Sequence, residues 1–339
     1  LGTLDTALLT IQDSDTPPSA LMYALGNTSN ALFLFQTSTP GTPLSFSLPS
    51  GLVAGDSLRA LAVEPVTGRL YAMGTAGVLY MLNAFTGAAA AVGPAISPSP
   101  TGSMMDITFD RVTGMLRLFT GSGQNLVIHP ATGSVVSTDA APAYAMGDVN
   151  AAFSPLMAGA DFACSSGTQT LHGIDAARDT FVHIPSPAAA QFTTLGPLGH
   201  NIEPQGALEI PEGATFAWAC LTLQGAAGSG LYAINLNKGN AILIGAIRNV
   251  EQVRDMVIAP PHDVWKQARF GANAGNEQIG GDEVDPDGNG VSNLMEYALG
   301  AQVGSSSSAF MPMAGNMGSY LTLRFNRPPS TTDVIYTVQ

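Results

Sequence analysis

The chain has 339 residues, with 12 Lys and Arg against 25 Asp and Glu, a formal net charge of −13, and only 11 % of residues charged. A surface this acidic repels phosphate backbones and anionic bilayers, which argues against a nucleic-acid partner. Hydrophobic residues at 45 % are enough for a large core, and the length fits one large all-β domain with a small appendage.

Residues 1–19 read as an N-terminal extension that begins at Leu1, without Met, as a processed secreted protein or a fragment would. From residue 20 the pattern is apolar strands broken by tight turns. Met22–Leu25, Ala31–Phe35 and Leu44–Leu48 are three strands with no obvious strand before them. A repeat then becomes legible. Leu61-Ala62-Val63-Glu64-Pro65-Val66-Thr67-Gly68-Arg69-Leu70-Tyr71 matches Ile107-Thr108-Phe109-Asp110-Arg111-Val112-Thr113-Gly114-Met115-Leu116-Arg117 as strand, Val-Thr-Gly turn, strand.

Third strands follow at Val78–Asn83, Asn125–His129 and Gly230–Asn235. Short fourth strands follow at Ala88–Val92, Ser134–Thr138 and Ala241–Gly245. Four strands joined by tight turns make one antiparallel propeller blade. The uncharged stretch Ala76–Ile96 belongs to this repeat. Asn83, Gly87 and Pro94 interrupt it too often for a membrane span.

First strands begin near Ala60, Asp106, Ala151, Ala207 and Asp255, at spacings close to the ~40–50 residues of a propeller blade. Asp255–Pro260 is a first strand with no successors, and the N-terminal unit lacks one. Ring closure solves both problems: the late strand completes the early blade, and no half-interface is left open to water. The expected fold is therefore an all-β, five-bladed β-propeller over residues 20–261. Cys164 and Cys220 fall in strands of neighbouring repeats, which leaves a disulfide between blades or two buried thiols as alternatives.

The strings Arg69-Leu70-Tyr71, Gly123–Leu126, Pro130–Gly133, Ala145–Val149, Leu171–Asp175 and Leu231–Asn235 resemble a family of uncharacterised bacterial secreted proteins defined only as a domain of unknown function. The resemblance covers residues from about 20 to 260. It implies a secreted, propeller-like fold and no activity.

Beyond the propeller, residues 262–300 read as a small helical module. Val264–Phe270 is a helix, and Ser292–Gly300 is a second, with a Gly stop. Between them Asp285-Pro286-Asp287-Gly288-Asn289-Gly290-Val291-Ser292-Asn293-Leu294-Met295-Glu296 matches D-x-[DN]-x-[DN]-G-x5-E at every defined position. Calcium takes six to eight hard oxygens. Asp285, Asp287 and Asn289 would supply side-chain oxygens, Val291 its carbonyl, Asn293 a direct or water-mediated contact, and Glu296 two oxygens. The fourteen residues 271–284 before the loop resemble the spacing of dockerin-like bacterial calcium modules more than a compact EF-hand.

Residues 301–318 read as a Ser-, Met- and Gly-rich linker. Residues 319–339 read as a β-hairpin, with Leu321–Phe325 and Val334–Val338 alternating around a turn at 327–333. Two strands alone are barely stable in water. Three readings follow: a chain cut short, docking on its own propeller, or strand addition to another copy of itself.

No G-x-S-x-G, H-E-x-x-H or P-loop motif is present, and the five histidines are scattered. Asp106, Asp148, Asp175 and Asp255 are the acids expected to face a central channel. The reading is a bacterial, extracellular or cell-surface, calcium-binding structural or interaction protein without a membrane-spanning segment. The competing reading is a propeller hydrolase or lyase with its site in the channel. Convergence of two or more inner-strand acids would favour the second.

Overall fold

The computed structural model describes residues 17–165, 167–248, 251–301 and 310–337. Five antiparallel sheets form the blades. Blade I combines β1 (Leu21–Gly26), β2 (Leu32–Gln36) and β3 (Ser45–Ser47) with β21 (Val253–Ile258), in the order β21-β1-β2-β3. Blade II is β4 (Leu58–Val63), β5 (Leu70–Gly74), β6 (Leu79–Leu82) and β7 (Ala89–Ala91). Blade III is β8 (Met105–Asp110), β9 (Met115–Thr120), β10 (Asn125–Ile128) and β11 (Val135–Thr138).

Blade IV has β13 (Met157–Ser165), β14 (Thr168–Asp175), β15 (Thr180–Ile184) and β16 (Gln191–Pro197), with the short β12 (Ala143–Tyr144) added in parallel to β16. Blade V is β17 (Ile202–Glu209), β18 (Phe216–Leu223), β19 (Gly230–Asn235) and β20 (Ala241–Ala246).

The ring closes as the sequence requires. Met22 pairs with Ile258, Tyr23 with Val257 and Ala24 with Met256. The first strands touch all the way round, β21 with β4, β4 with β8, β8 with β13, β13 with β17 and β17 with β21. The reason lies in the side chains. Successive residues of a strand point to opposite faces, and here both faces are apolar because each blade is packed between two others. Tyr23 and Leu25 of β1 join Leu58 and Leu61 of blade II, while Met22 and Ala24 join Trp218 and Cys220 of blade V. The same alternation makes the other three junctions. Fully burying one such side chain contributes roughly 1.5–3 kcal/mol. At the matching Val-Thr-Gly turns, Gly68 and Gly114 have φ of 66° and 69°, the left-handed region that favours glycine.

Two expectations are corrected, and one pair of alternatives, at the cysteines, is decided. The first strand of blade IV begins at Met157, not near Ala151. Residues 148–153 turn instead: the Ala151 N–H donates to the Asp148 carbonyl and the Phe153 N–H to that of Asn150. Cys164 and Cys220 are both free thiols. The C-terminal hairpin exists, but its strands are β22 (Met313–Met317), drawn from the expected linker, and β23 (Tyr320–Arg324).

The tight turn at Gly318, φ 63°, lets these neighbours pair. Pro328 and Pro329 break the chain after Phe325. Residues 334–337 then form no strand. They are held by the second helix, where the Tyr336 hydroxyl donates to the Ala298 carbonyl. The rest of the expected linker, 302–309, and residues 338–339 lie outside the described residues, as does most of the expected extension 1–19.

After Pro260 the chain enters α1 (Pro261–Phe270), with proline in its first turn, a short 3-10 turn at Gly271–Asn273, and α2 (Asn293–Leu299), closed by Gly300 at φ 71°. The module rests on blades I and II. The Tyr23 hydroxyl donates to Asp263 at 3.1 Å, and the Lys266 ammonium stands 5.5 Å from the Phe85 ring centre. Among the described residues no helix is long and apolar enough to cross a membrane.

Candidate functional site

The loop before α2 is gathered around Asn289. Its backbone N–H donates to Asp285 Oδ1 at 3.1 Å and to Asp287 Oδ1 at 3.3 Å, and its side-chain Nδ2 donates to Glu296 Oε1 at 3.0 Å. The Gly290 N–H reaches Asp285 Oδ2 at 2.7 Å, and the Val291 N–H reaches Asn289 Oδ1 at 2.9 Å. Gly288 and Gly290, at φ 70° and 85°, permit the tight wrap. These backbone donors hold the Asp285 carboxyl below the ordinary aspartate range.

Four of the six expected ligand residues, Asp285, Asp287, Asn289 and Glu296, are thus linked side chain to side chain or through the Asn289 amide. Val291 is buried beside them in sequence. Asn293 is engaged elsewhere through its amide nitrogen, while its Oδ1 has no hydrogen-bond partner. It is fully buried, and its Nδ2 donates to the carbonyls of Ile279 and Gly281, at 2.8 Å each. It fastens the preceding turn to α2.

By chemical type the donor set suits a hard divalent cation, although among the described residues no three acidic side chains stand as a ready metal-holding group. Three carboxylates and an amide oxygen come from alternate loop positions and the following helix. Glu296 is fully buried, and its Oε2 has no hydrogen-bond partner.

A second concentration of acids lies in the central channel. Asp106 and Asp255 are there as expected, joined by Asp161 and Glu209. Each accepts a backbone N–H from the inner strand of the next blade, or from the residue that follows it. Asp255 takes that of Leu61 at 2.5 Å, Asp161 that of Ile210 at 2.7 Å, and Glu209 that of Ile258 at 3.3 Å. Asp106 takes that of Ala160.

Inner strands have a free edge toward the channel, so their N–H groups need partners other than a ladder. The carboxylates fill that need at four of the five junctions. Between blades II and III the equivalent side chains are Ala60 and Ala62, both part of the apolar cluster of that junction. Burial raises the pKa of all four acids, and for Asp106, Glu209 and Asp255 the neighbouring carboxylates raise it further. The space they enclose is about 30 Å³, room for on the order of two waters.

Asp148 and Asp175 do not face the channel. Asp148 caps the turn before blade IV by accepting from the Thr194 N–H at 2.7 Å and from the Thr194 hydroxyl at 2.8 Å. Asp175 is buried against the Tyr144 hydroxyl and accepts the Leu156 N–H at 2.8 Å. Of the histidines, His172 and His183 face each other across β14 and β15, ring centres 5.3 Å apart. Burial first, then the charge of His183, pushes the pKa of His172 down to about 4. Their spacing hides this pairing, since it depends on the register of two strands.

A groove of about 700 Å³ separates blade II from the module, lined by Arg69, Phe85, His262, Asp263, Lys266, Asp282 and Asp333. Burial, opposed by the Tyr23 hydroxyl and the Lys266 charge, lifts the pKa of Asp263 from 3.8 to about 7. Between those values the folded chain keeps a proton that the unfolded chain has released. Stability therefore falls as pH rises through this window and levels off above pH 7. Asp263→Asn should reduce the fall in melting temperature between pH 4 and pH 7 and leave the variant at least as stable as the parent at pH 8. Thermal melts across that range check it. An unchanged slope would refute the assignment.

Comparison with solved structures gives distant likenesses. A nidogen/laminin complex aligns at 9 % identity and TM-score 0.40, over 71 % of this chain and 98 % of that one. A structural genomics protein of unknown function from Bacteroides thetaiotaomicron VPI-5482 aligns at 10 % and 0.43, over 65 % and 55 %. No curated protein matches. Residues 31–257, more than half of the chain, match the family model described as "Domain of unknown function (DUF4394)".

Proposed function

The chain belongs to the DUF4394 family, a domain of unknown function, and from that premise we propose that it is an extracellular or cell-surface structural or interaction protein of bacterial origin, with a calcium-binding module at the foot of its propeller. The observation that carries this reading is the gathering of Asp285, Asp287 and Glu296 around Asn289, with Glu296 fully buried. Three carboxylates in one loop repel each other, and a divalent cation relieves that repulsion. The cation would then be part of the module's folding free energy.

The competing reading, an enzyme working in the channel, draws on the convergence of Asp106, Asp161, Glu209 and Asp255. Each of those carboxylates is already engaged by a backbone N–H, and the space between them is about 30 Å³. A ligand-sized site needs a few hundred Å³. The arrangement supports a structural role for the quartet and a binding role for the protein.

Calorimetry with calcium tests the proposal, together with melts followed by tryptophan emission. The chain has only two tryptophans, Trp218 in the propeller core and Trp265 in α1. Calcium uptake near one ion per chain is expected. At a free concentration ~100 times the Kd, the module should gain about 2.7 kcal/mol, with the Trp265 transition moving more than that of Trp218. No heat of binding, with melts unchanged by chelator, would remove calcium from the account.

A further inference from the structure

Arg269 sits in the last turn of α1 with its side chain only 7 % exposed. Its Nη2 lies 2.5 Å from Glu296 Oε2 and 3.6 Å from Asp287 Oδ2. The guanidinium therefore meets the loop at two of the residues expected to hold the cation, one from the loop and one from α2. Its +1 charge partly offsets the three carboxylates of the site. Glu296 is needed with both oxygens free for bidentate coordination. Here neither is free: Oε1 accepts from Asn289 Nδ2 at 3.0 Å, and Oε2 faces Arg269.

The Arg269 contact is a close charge pair without hydrogen-bond alignment. Glu296 Oε2 and Arg269 Nη1 are both buried and lack hydrogen-bond partners. A buried pair made only for its own stability would use the forked geometry of arginine on carboxylate. This one leaves donor and acceptor capacity unspent, as expected of a position shared between two cations.

We propose that Arg269 is an internal counter-ion that competes with the divalent cation for Glu296. Resting on the calcium reading above, it gives that site a regulatory part. Without the ion, Arg269 ties α1 to α2 through Glu296. When the ion is bound, Glu296 turns to it and the end of α1 is released. The Arg269 guanidinium carbon stands 5.2 Å from the centre of the Trp265 ring, so the exchange has a built-in optical reporter.

The experiment uses the full chain and calcium chloride as the probe. Calcium affinity is measured by calorimetry for the parent and for Arg269→Gln, and Trp265 emission is followed during titration, with Trp265→Phe as the blank. Competition predicts that Arg269→Gln binds calcium at least about tenfold more tightly, since a neighbouring positive charge has been removed. It also predicts a calcium-dependent change in Trp265 emission in the parent that is lost in the variant.

Equal or weaker binding by Arg269→Gln overturns the competition and leaves the calcium reading standing. Uptake by the variant alone supports the competition strongly. Absence of uptake by both overturns both. If Arg269→Gln fails to fold without calcium, Arg269→Lys takes its place. It keeps the charge without the planar fork, and calcium affinity above that of the parent is expected. Affinity at or below that of the parent counts against the proposal.

Discussion

Replacing Gly159 by alanine should destabilise the propeller by about 3 kcal/mol, and valine should do little worse than alanine. Gly159 lies on β13, against the inner strand of blade V. A Cβ there would stand 2.8 Å from the Leu208 nitrogen, 3.0 Å from the Ala207 carbonyl carbon and 3.1 Å from the Ala207 Cα. All three are backbone atoms of β17, which is itself pinned to β13 on one side and β21 on the other. A flexible side chain can swing away from a clash, whereas backbone in a closed ring moves only if the neighbouring junctions move too.

The damage comes from the first carbon, so the two methyls that valine carries beyond it add little. Urea melts followed by Trp218 emission measure it, because Trp218 lies in the junction between blades V and I. Stability of Gly159→Ala within about 1 kcal/mol of the parent would mean that the two inner strands are not this close.

Glu296→Ala should melt the module and spare the propeller. In chelator the expected loss is about 3–5 kcal/mol, the usual result of removing one partner of a buried ion pair. The arginine left behind is covered by Trp265 and Phe270, with its guanidinium carbon 5.2 and 5.5 Å from their ring centres. It has little route to water. Replacing both members of the pair with methionine should recover much of the loss, because no charge then remains buried.

Trp265 emission reports the module and Trp218 emission the propeller, and the parent, Glu296→Met, Arg269→Met and the double methionine variant form a double-mutant cycle. A Glu296→Ala chain that keeps its Trp265 transition in place would show that the pair contributes little.

The architecture was legible in the sequence for a physical reason. A blade packed on both sides needs strands that are apolar at every position, and turns between them need glycine. Leu61–Tyr71 and Ile107–Arg117 state both requirements plainly. Ring closure was legible because a lone strand, Asp255–Pro260, and a unit missing a strand are complementary defects. The D-x-[DN]-x-[DN]-G-x5-E string was equally plain as a pattern, since its residues are consecutive.

What the sequence hid depended on contacts between distant segments. Asp161 and Glu209 join Asp106 and Asp255 only because four blades bring their inner strands to one axis, while Asp148 and Asp175 fall at turns and in a junction. Arg269 is the plainest omission. Seventeen residues, 270–286, separate it from the Asp287–Glu296 stretch it faces, and nothing in the loop motif mentions a cation on the preceding helix. The hairpin was misplaced because alternation at 334–338 is as regular as that at 321–325. The anchoring of Asp333 by the Tyr297 hydroxyl, at 2.5 Å, decided against pairing it.

Blade I is woven from both ends of the propeller, and that has a bearing on synthesis. A chain emerging from its N-terminus carries β1, β2 and β3 as an incomplete sheet until Ile258 has been made. Until then Met22 and Ala24 have no blade V to face, and each finished blade shows one apolar side to water. The ring can therefore close only once β21 has been made, and the nascent propeller is most exposed to aggregation just before the strand that ends its exposure arrives.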